Sequence, residues 1–192
     1  MTDKLEVEIE YSNRHIHITK DLFEKLYGPE YELTMKNKLS QADDFASNET
    51  VMIMGPKGKI ENVRILGPYR DKTQVEILKS DTYILGIDAP IKLSGDLDNT
   101  PGIKIIGPIN EVDLESGLII AKRHLHISGN EAEKMNLKDG QKIKLELTGD
   151  RALIFDEIVV RIGEGFVKKV HLDLDEANAV NIKQNTKGNI IL

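Results

Sequence analysis

The sequence contains no cysteine. That excludes disulfides, iron–sulfur clusters, thiolate zinc sites and a cysteine nucleophile. No apolar run approaches the roughly 20 residues that a membrane-spanning helix needs. The start, Met1-Thr2-Asp3-Lys4, leads directly into a charged stretch that reads as a strand, with no secretory signal pattern. Basic charge is in deficit. The 26 Lys and Arg stand against 32 Asp and Glu, a formal net charge of −6. That balance argues against general nucleic-acid binding and leaves a polyanionic ligand only a local basic patch. Several nucleotide and hydrolase motifs are also missing. There is no G-x-x-x-x-G-K-[ST] loop, no G-x-G-x-x-G after a strand, no G-x-S-x-G elbow and no H-E-x-x-H helix. P-loop nucleotide hydrolysis and serine acyl-enzyme chemistry lose their support.

What is present is a chain of 192 residues, 40% hydrophobic and 30% charged. It has an ordinary soluble balance and is long enough for one domain, or two small ones, with a real core. Period-2 alternation dominates and predicts a mainly β protein. Leu5-Glu6-Val7-Glu8-Ile9-Glu10-Tyr11 sets its apolar residues on one face and its glutamates on the other. Gln141 to Leu147 and Val170 to Leu174 alternate in the same way, and Val51–Met54 and Ile158–Val160 are short apolar runs suited to buried strands. Four of the six prolines follow glycine, at Gly28-Pro29, Gly55-Pro56, Gly67-Pro68 and Gly107-Pro108. These are turn signals, and short strands so punctuated suggest barrels or sandwiches. Three short helices are predicted. The first runs from Thr19 to Leu26 behind a threonine cap, the second from Ser128 to Met135 with a capping box from Ser128 to Glu131, and the third from Asp175 to Val180. Lys36 to Thr50 reads as a long polar loop, of the kind that often carries function.

The chain echoes itself. Arg14-His15-Ile16-His17-Ile18-Thr19 is matched by Arg123-His124-Leu125-His126-Ile127-Ser128, and in the same alignment Glu24-Lys25 falls on Glu133-Lys134. Two related β units are therefore predicted, each opening on this motif. Residues i and i+2 of a strand share a face, so each His-x-His can offer two imidazoles to one metal while Ile16 or Leu125 faces a core. Nitrogen donors without thiolates suit zinc, with nickel, cobalt or copper chemically allowed. The fifth histidine, His171, sits in its own alternating strand. Five histidines cannot complete two three-ligand sites, so two metals would require a sixth ligand, a carboxylate. Arg14 and Arg123 precede the pairs. Each is either an ion-pair partner or an anion contact near the metal.

At this point the residues resemble a known family, the PduL-type phosphate acyltransferases, also called phosphate propanoyltransferases. The resemblance spans nearly the whole chain. Its motifs are SNRHIHIT (Ser12–Thr19), LSQADDFA (Leu39–Ala46), ETVMIMGPKGKIENVRILGPYR (Glu49–Arg70), TQVEI (Thr73–Ile77), SGDL (Ser94–Leu97), AKRHLHIS (Ala121–Ser128) and HLDLDEANA (His171–Ala179). It implies two β-barrels capped by short helices, with a dinuclear zinc site between them. One barrel would take residues 4–13 and 122–192, the other residues 14–27 and 49–121, with residues 28–48 a lid-like insertion over the site. The implied reaction is acyl-CoA (acetyl or propanoyl) plus phosphate to acyl phosphate plus coenzyme A, reversibly. His15, His17 and Glu76 would hold one metal, and His124, His126 and His171 the other. Arg70 and Ser94 would position phosphate. Ser12, Arg64, Leu66 and Asn178 would contact the coenzyme. Without the resemblance, Glu76 is an outward strand carboxylate, Arg70 a turn cation and Ser94 an ordinary turn residue. At Asn37 the family often has lysine, and a missing cation there would weaken binding of the coenzyme's phosphates.

The resemblance further implies a homodimer, a cytoplasmic location with microcompartment association as a variant, and no nucleic-acid or membrane partner. Two other readings are compatible with the ligands: a zinc hydrolase of thioesters or phosphoesters, and a scaffold module with structural zinc. A phosphate requirement separates the first from an acyltransferase, and an open coordination position separates the second.

Overall fold

The computed structural model describes residues 5–41, 43–183 and 186–192. Lys4, at the start of one expected barrel, and Ala42 of the LSQADDFA motif lie outside the described residues. The chain divides into two compact units: the segment up to Ser12 together with Lys122–Leu192, and the intervening Asn13–Ala121.

Strand β1 (Leu5–Ser12) belongs to the first unit. The central unit follows with β2 (His15–His17), α1 (Lys20–Tyr27), β3 (Met35–Lys38), β4 (Phe45–Met54), β5 (Lys59–Gly67), β6 (Gln74–Ile77) and α2 (Lys79–Leu85). It ends with β7 (Ile91–Lys92), β8 (Lys104–Ile106), β9 (Glu111–Asp113) and β10 (Leu118–Ala121). The chain then returns to the first unit as β11 (His124–Ile127), α3 (Gly129–Lys134), β12 (Lys142–Leu147), β13 (Leu153–Ile162), β14 (Lys169–Asp173), α4 (Leu174–Ala179) and β15 (Lys187–Ile191).

The first unit is a closed six-stranded barrel in the order β1-β14-β11-β13-β12-β15. β1 closes it, pairing parallel to β14 and antiparallel to β15. The inward residues are those the alternation marks: Val7 and Ile9 of β1, Leu125 and Ile127 of β11, Ile143, Leu145 and Leu147 of β12, and Val170 and Leu172 of β14. Each such side chain contributes roughly 1.5–3 kcal/mol by leaving water. The alternation of β1 overreaches at its end, where Tyr11 is 45% exposed. The period identifies the face but not where the core beneath it stops.

The central unit is a nine-stranded sheet in the order β7-β10-β6-β2-β5-β4-β8-β9, with β3 paired to β4 at its side. This half-barrel wraps a second core that includes Ile16, Phe23, Leu26, Val51, Ile53, Ile65 and Leu118. The mainly β class with short helices holds. The loop expected over Lys36 to Thr50 does not. β3 and the first half of β4 form a hairpin there, with Met35 paired to Ser47 and Lys38 to Phe45. The buried face of β4 alternates properly through Ser47, Glu49, Val51 and Ile53. Two of those four are polar and satisfied internally: Ser47 Oγ donates to the carbonyls of Ile65 and Glu49, and Glu49 accepts from Thr34. Composition therefore hid a strand that its hydrogen bonds reveal.

The helices start as their caps dictate, with one exception. Thr19 Oγ1 accepts from Leu22 N, and Asp173 and Glu176 form a reciprocal box at α4. At α3, Ser128 Oγ donates to the Glu131 carboxylate at 2.9 Å instead of capping the backbone. Helix α2 has no counterpart in the sequence reading. Its KSDTYIL mixes β-branched and aromatic residues, and it stops at Gly86, whose φ of 70° glycine tolerates without strain. Among the described residues no helix is long and apolar enough to cross a membrane.

Leu125→Ala should cost about 2–5 kcal/mol in urea unfolding followed by far-UV circular dichroism, because a fully buried barrel side chain is removed. Exposed Glu133→Ala should stay within about 0.5 kcal/mol of the parent. Equal midpoints for the two variants would contradict the barrel core described here.

Candidate metal centres

In the central unit, β2 is only three residues long and sits between β5 and β6. Ile16 points into the core, so His15 and His17 share the opposite face. The antiparallel register with β6 sets Glu76 directly across from His15. Glu76 then lies 3.4 Å from His15 Nε2 and 3.9 Å from His17 Nε2. His15 and Glu76 are buried, and the His17 side chain is 12% exposed. His15 Nδ1 donates to the Asn13 carbonyl at 2.8 Å, which leaves its Nε2 lone pair aimed at the cluster. His17 Nδ1 is buried and has no hydrogen-bond partner among the described residues.

Electrostatics distinguish the two imidazoles. Burial pulls the His15 pKa down, but the Glu76 carboxylate and the Asn13 carbonyl more than reverse this, so it ends above its ordinary value. Burial, with the neighbouring His15 and Arg70 charges, pushes His17 down to about 4. His17 is therefore neutral at physiological pH, the form that ligates a metal.

The first unit repeats the arrangement. Leu125 and Ile127 of β11 enter the barrel core, while His124 and His126 face outward. β14 pairs antiparallel with His171 directly opposite His124. Ring centroids are 4.5 Å apart for His124–His126, 5.0 Å for His124–His171 and 4.7 Å for His126–His171. His124 Nδ1 donates to the Lys122 carbonyl at 2.9 Å, as His15 does to Asn13. His126 stacks on Phe166 at 4.0 Å, and both its ring nitrogens are buried without a hydrogen-bond partner among the described residues. Burial and the adjacent His124 and His171 push its pKa down to about 2. An unsatisfied buried nitrogen costs about 1–3 kcal/mol, and a coordinated cation would remove that cost. In each group the three potential ligand atoms lie within 4.8 Å of one another. Both donor sets, two or three imidazoles with at most one carboxylate, fit zinc.

Other singled-out residues fall as follows. Arg70 Nη2 bonds Asp44 Oδ1 at 2.7 Å, its backbone N–H donates to Ile18, and its charge is felt at His17. Ser94 lies in a turn, where its Oγ accepts from Gln74 Nε2 at 2.8 Å. Arg64 of β5 donates to the Ser47 and Asn48 carbonyls, and Leu66 of β5 pairs with His17. Ser12 ends β1 and pairs with Asp173, whereas Asn178 is an exposed residue of α4. Asn37 is exposed on β3. Arg14 and Arg123 both make ion pairs, with Asp81 and Glu176.

Gln74 carries no motif that marks it in the sequence. Its amide nitrogen donates to Glu76 Oε1 at 2.6 Å as well as to Ser94, and its oxygen accepts from Gly95 N at 2.7 Å. The signal was available: Gln74 and Glu76 are i and i+2 on one strand and share a face. One buried amide thus links a potential metal ligand to the Ser94 turn.

The family model described as phosphate propanoyltransferase matches residues 8–183. A phosphate propanoyltransferase of Limosilactobacillus reuteri is 47% identical over 190 residues, covering 97% of this chain and 88% of that protein. One from Listeria monocytogenes is 46% identical over 185 residues, covering 96% and 87%. One from Thermotoga maritima is 50% identical over 169 residues, covering 88% and 80%. The protein is thus an enzyme, an acyltransferase that uses phosphate. More particularly, the chain belongs to the phosphate propanoyltransferase family.

Gln74→Leu should lower the melting temperature by the equivalent of about 1–3 kcal/mol, because it strips donors and an acceptor from a buried network. Gln74→Glu should cost more, since it sets a second carboxylate against Glu76. Differential scanning calorimetry reads both, and an unshifted melt for either would refute the linking role.

Proposed function

We propose that the enzyme converts a short-chain acyl-CoA, acetyl or propanoyl, and phosphate into acyl phosphate and coenzyme A, reversibly, with one zinc ion held by each three-ligand group. The observation that carries this reading is the pair of His-x-His clusters, one buried and one half-buried, each completed by a third potential ligand directly across an antiparallel ladder. Among the described residues neither ring nitrogen of His126 has a hydrogen-bond partner, which supports occupancy of that group by a cation. The names of the relatives support the acyl and phosphate substrates.

Bound zinc would supply Lewis acidity and stabilise a thiolate near neutral pH. The chain's own residues do the positioning. Arg70 presents a planar fork suited to phosphate, and its contact in the structure is the carboxylate of Asp44. A phosphate arriving there takes over the role that the Asp44 oxygen plays. Ser94 Oγ, oriented by Gln74, is a second phosphate contact. In the reaction a phosphate oxygen attacks the thioester carbonyl carbon, the C–S bond breaks, and coenzyme A leaves as the thiolate. The Arg70 charge offsets negative charge gathering on the phosphate and the carbonyl oxygen. No protein nucleophile is required, in keeping with a chain that has no cysteine.

The test is thiol release from acetyl-CoA and propanoyl-CoA, with and without phosphate and a chelator. Release should require phosphate and stop when metal is stripped. Arg70→Ala should lose about 10²- to 10³-fold in kcat/KM while keeping its metal. Thiol release at full rate without phosphate would identify a hydrolase instead, and an Arg70→Ala enzyme of normal turnover would remove Arg70 from its role.

A further inference from the structure

The two units repeat more than their histidines. β2 lies between a parallel neighbour, β5, and an antiparallel one, β6; β11 lies between parallel β13 and antiparallel β14. The antiparallel neighbour carries the third ligand opposite the first histidine in each case: His15 faces Glu76, and His124 faces His171. Each of these strands runs on into a short helix, α2 after β6 and α4 after β14. The third helical residue is acidic in both, Asp81 and Glu176, and each stands five residues beyond its ligand. Each carboxylate accepts from the backbone N–H that begins its helix, Leu78 N at 3.0 Å and Asp173 N at 3.1 Å. Each also receives the arginine that precedes the His-x-His, Arg14 Nε at 2.8 Å and Arg123 Nη1 at 2.7 Å.

We propose that Arg14 and Arg123 are positioning residues of the metal centres, each latching the strand that carries two histidine ligands to the strand and helix that carry the third. The ladders concerned are short, with three register pairs between β2 and β6 and three between β11 and β14. A one-residue slip in so short a ladder would turn the third ligand to the opposite face. The arginine fixes that register from outside the ladder, because its planar head reaches a carboxylate held at a set distance past the ligand. The Asp81 side chain is fully buried, and its Oδ2 is the atom shared by Arg14 and Leu78. Supporting residues of this kind typically govern metal affinity by about 10- to 100-fold.

This inference rests on the reading of both groups as zinc sites. Its test uses the full chain loaded with zinc and follows release to a chromogenic chelator. In a His126→Ala background, which leaves the central-unit site, the pair Arg14→Met with Asp81→Asn should speed release of the remaining ion about 10- to 100-fold. In a His17→Ala background, which leaves the barrel site, the same pair should change nothing. Arg123→Met with Glu176→Gln should show the converse pattern. The amide replacements keep an acceptor for the helix's first N–H, and circular dichroism of the metal-free protein checks the fold. Arg14→Lys, which keeps a charge beside buried Asp81, covers the case in which the double variant does not fold, and it should show the same site-restricted acceleration. Unchanged release from wild-type-like sites would overturn the proposal, and so would equal acceleration at both sites, which would mean general loosening. A parent protein that takes up no zinc would overturn the metal reading itself, whereas a two-zinc parent with indifferent variants overturns only the latch.

Discussion

Two antiparallel ladders, each with three register pairs, decide whether this protein has metal centres. β2 against β6 sets His15 opposite Glu76, and β11 against β14 sets His124 opposite His171. Strand side chains alternate strictly, so this register also sends Ile16 and Leu125 into their cores. The same geometry that buries an isoleucine or a leucine therefore gathers three potential ligands on the other face. Core packing and ligand assembly are one constraint, and a change that shifts either ladder damages both.

The repeated plan has unequal contents. One group contains a carboxylate and the other is all imidazole. In the central unit the Glu76 carboxylate raises the His15 pKa, and Asp44 adds to it. In the barrel His124 and His171 act with burial to drive the His126 pKa down. The carboxylate group is accordingly the less positive of the two with equal cations bound, and it is the one whose charges reach Arg70. Gln74 ties the carboxylate to the Ser94 turn, so ligand, potential phosphate contact and strand register are mechanically joined within one unit.

Much of this was legible in the amino-acid order. The His-x-His pairs, the alternation of β1 and β12, and the threonine cap of α1 are local signals, and they fold as local rules direct. What resisted reading was non-local. Nothing around Glu76 marks it as a potential ligand, because its place beside the histidines is set by the residue across the ladder. β4 concealed itself by burying Ser47 and Glu49, which only their hydrogen bonds to Ile65 and Thr34 explain. α2 carries strand-prone residues and is held by Asp81 at its start and Gly86 at its end. The order of residues alone does not choose between ion pair and anion contact for Arg14 and Arg123, because their partners Asp81 and Glu176 lie on helices distant in sequence. The Ser128-to-Glu131 pattern does mark the start of α3, but it is wired hydroxyl to carboxylate instead of hydroxyl to backbone.

The most direct measurement is X-ray absorption at the zinc edge on protein of known metal content. Two zinc ions per chain, in shells of nitrogen and oxygen near 2.0–2.1 Å with multiple-scattering from imidazole, is the predicted result. Active protein that contains less than about one equivalent of zinc, or zinc without imidazole scattering, would contradict the assembly of ligands by these two ladders.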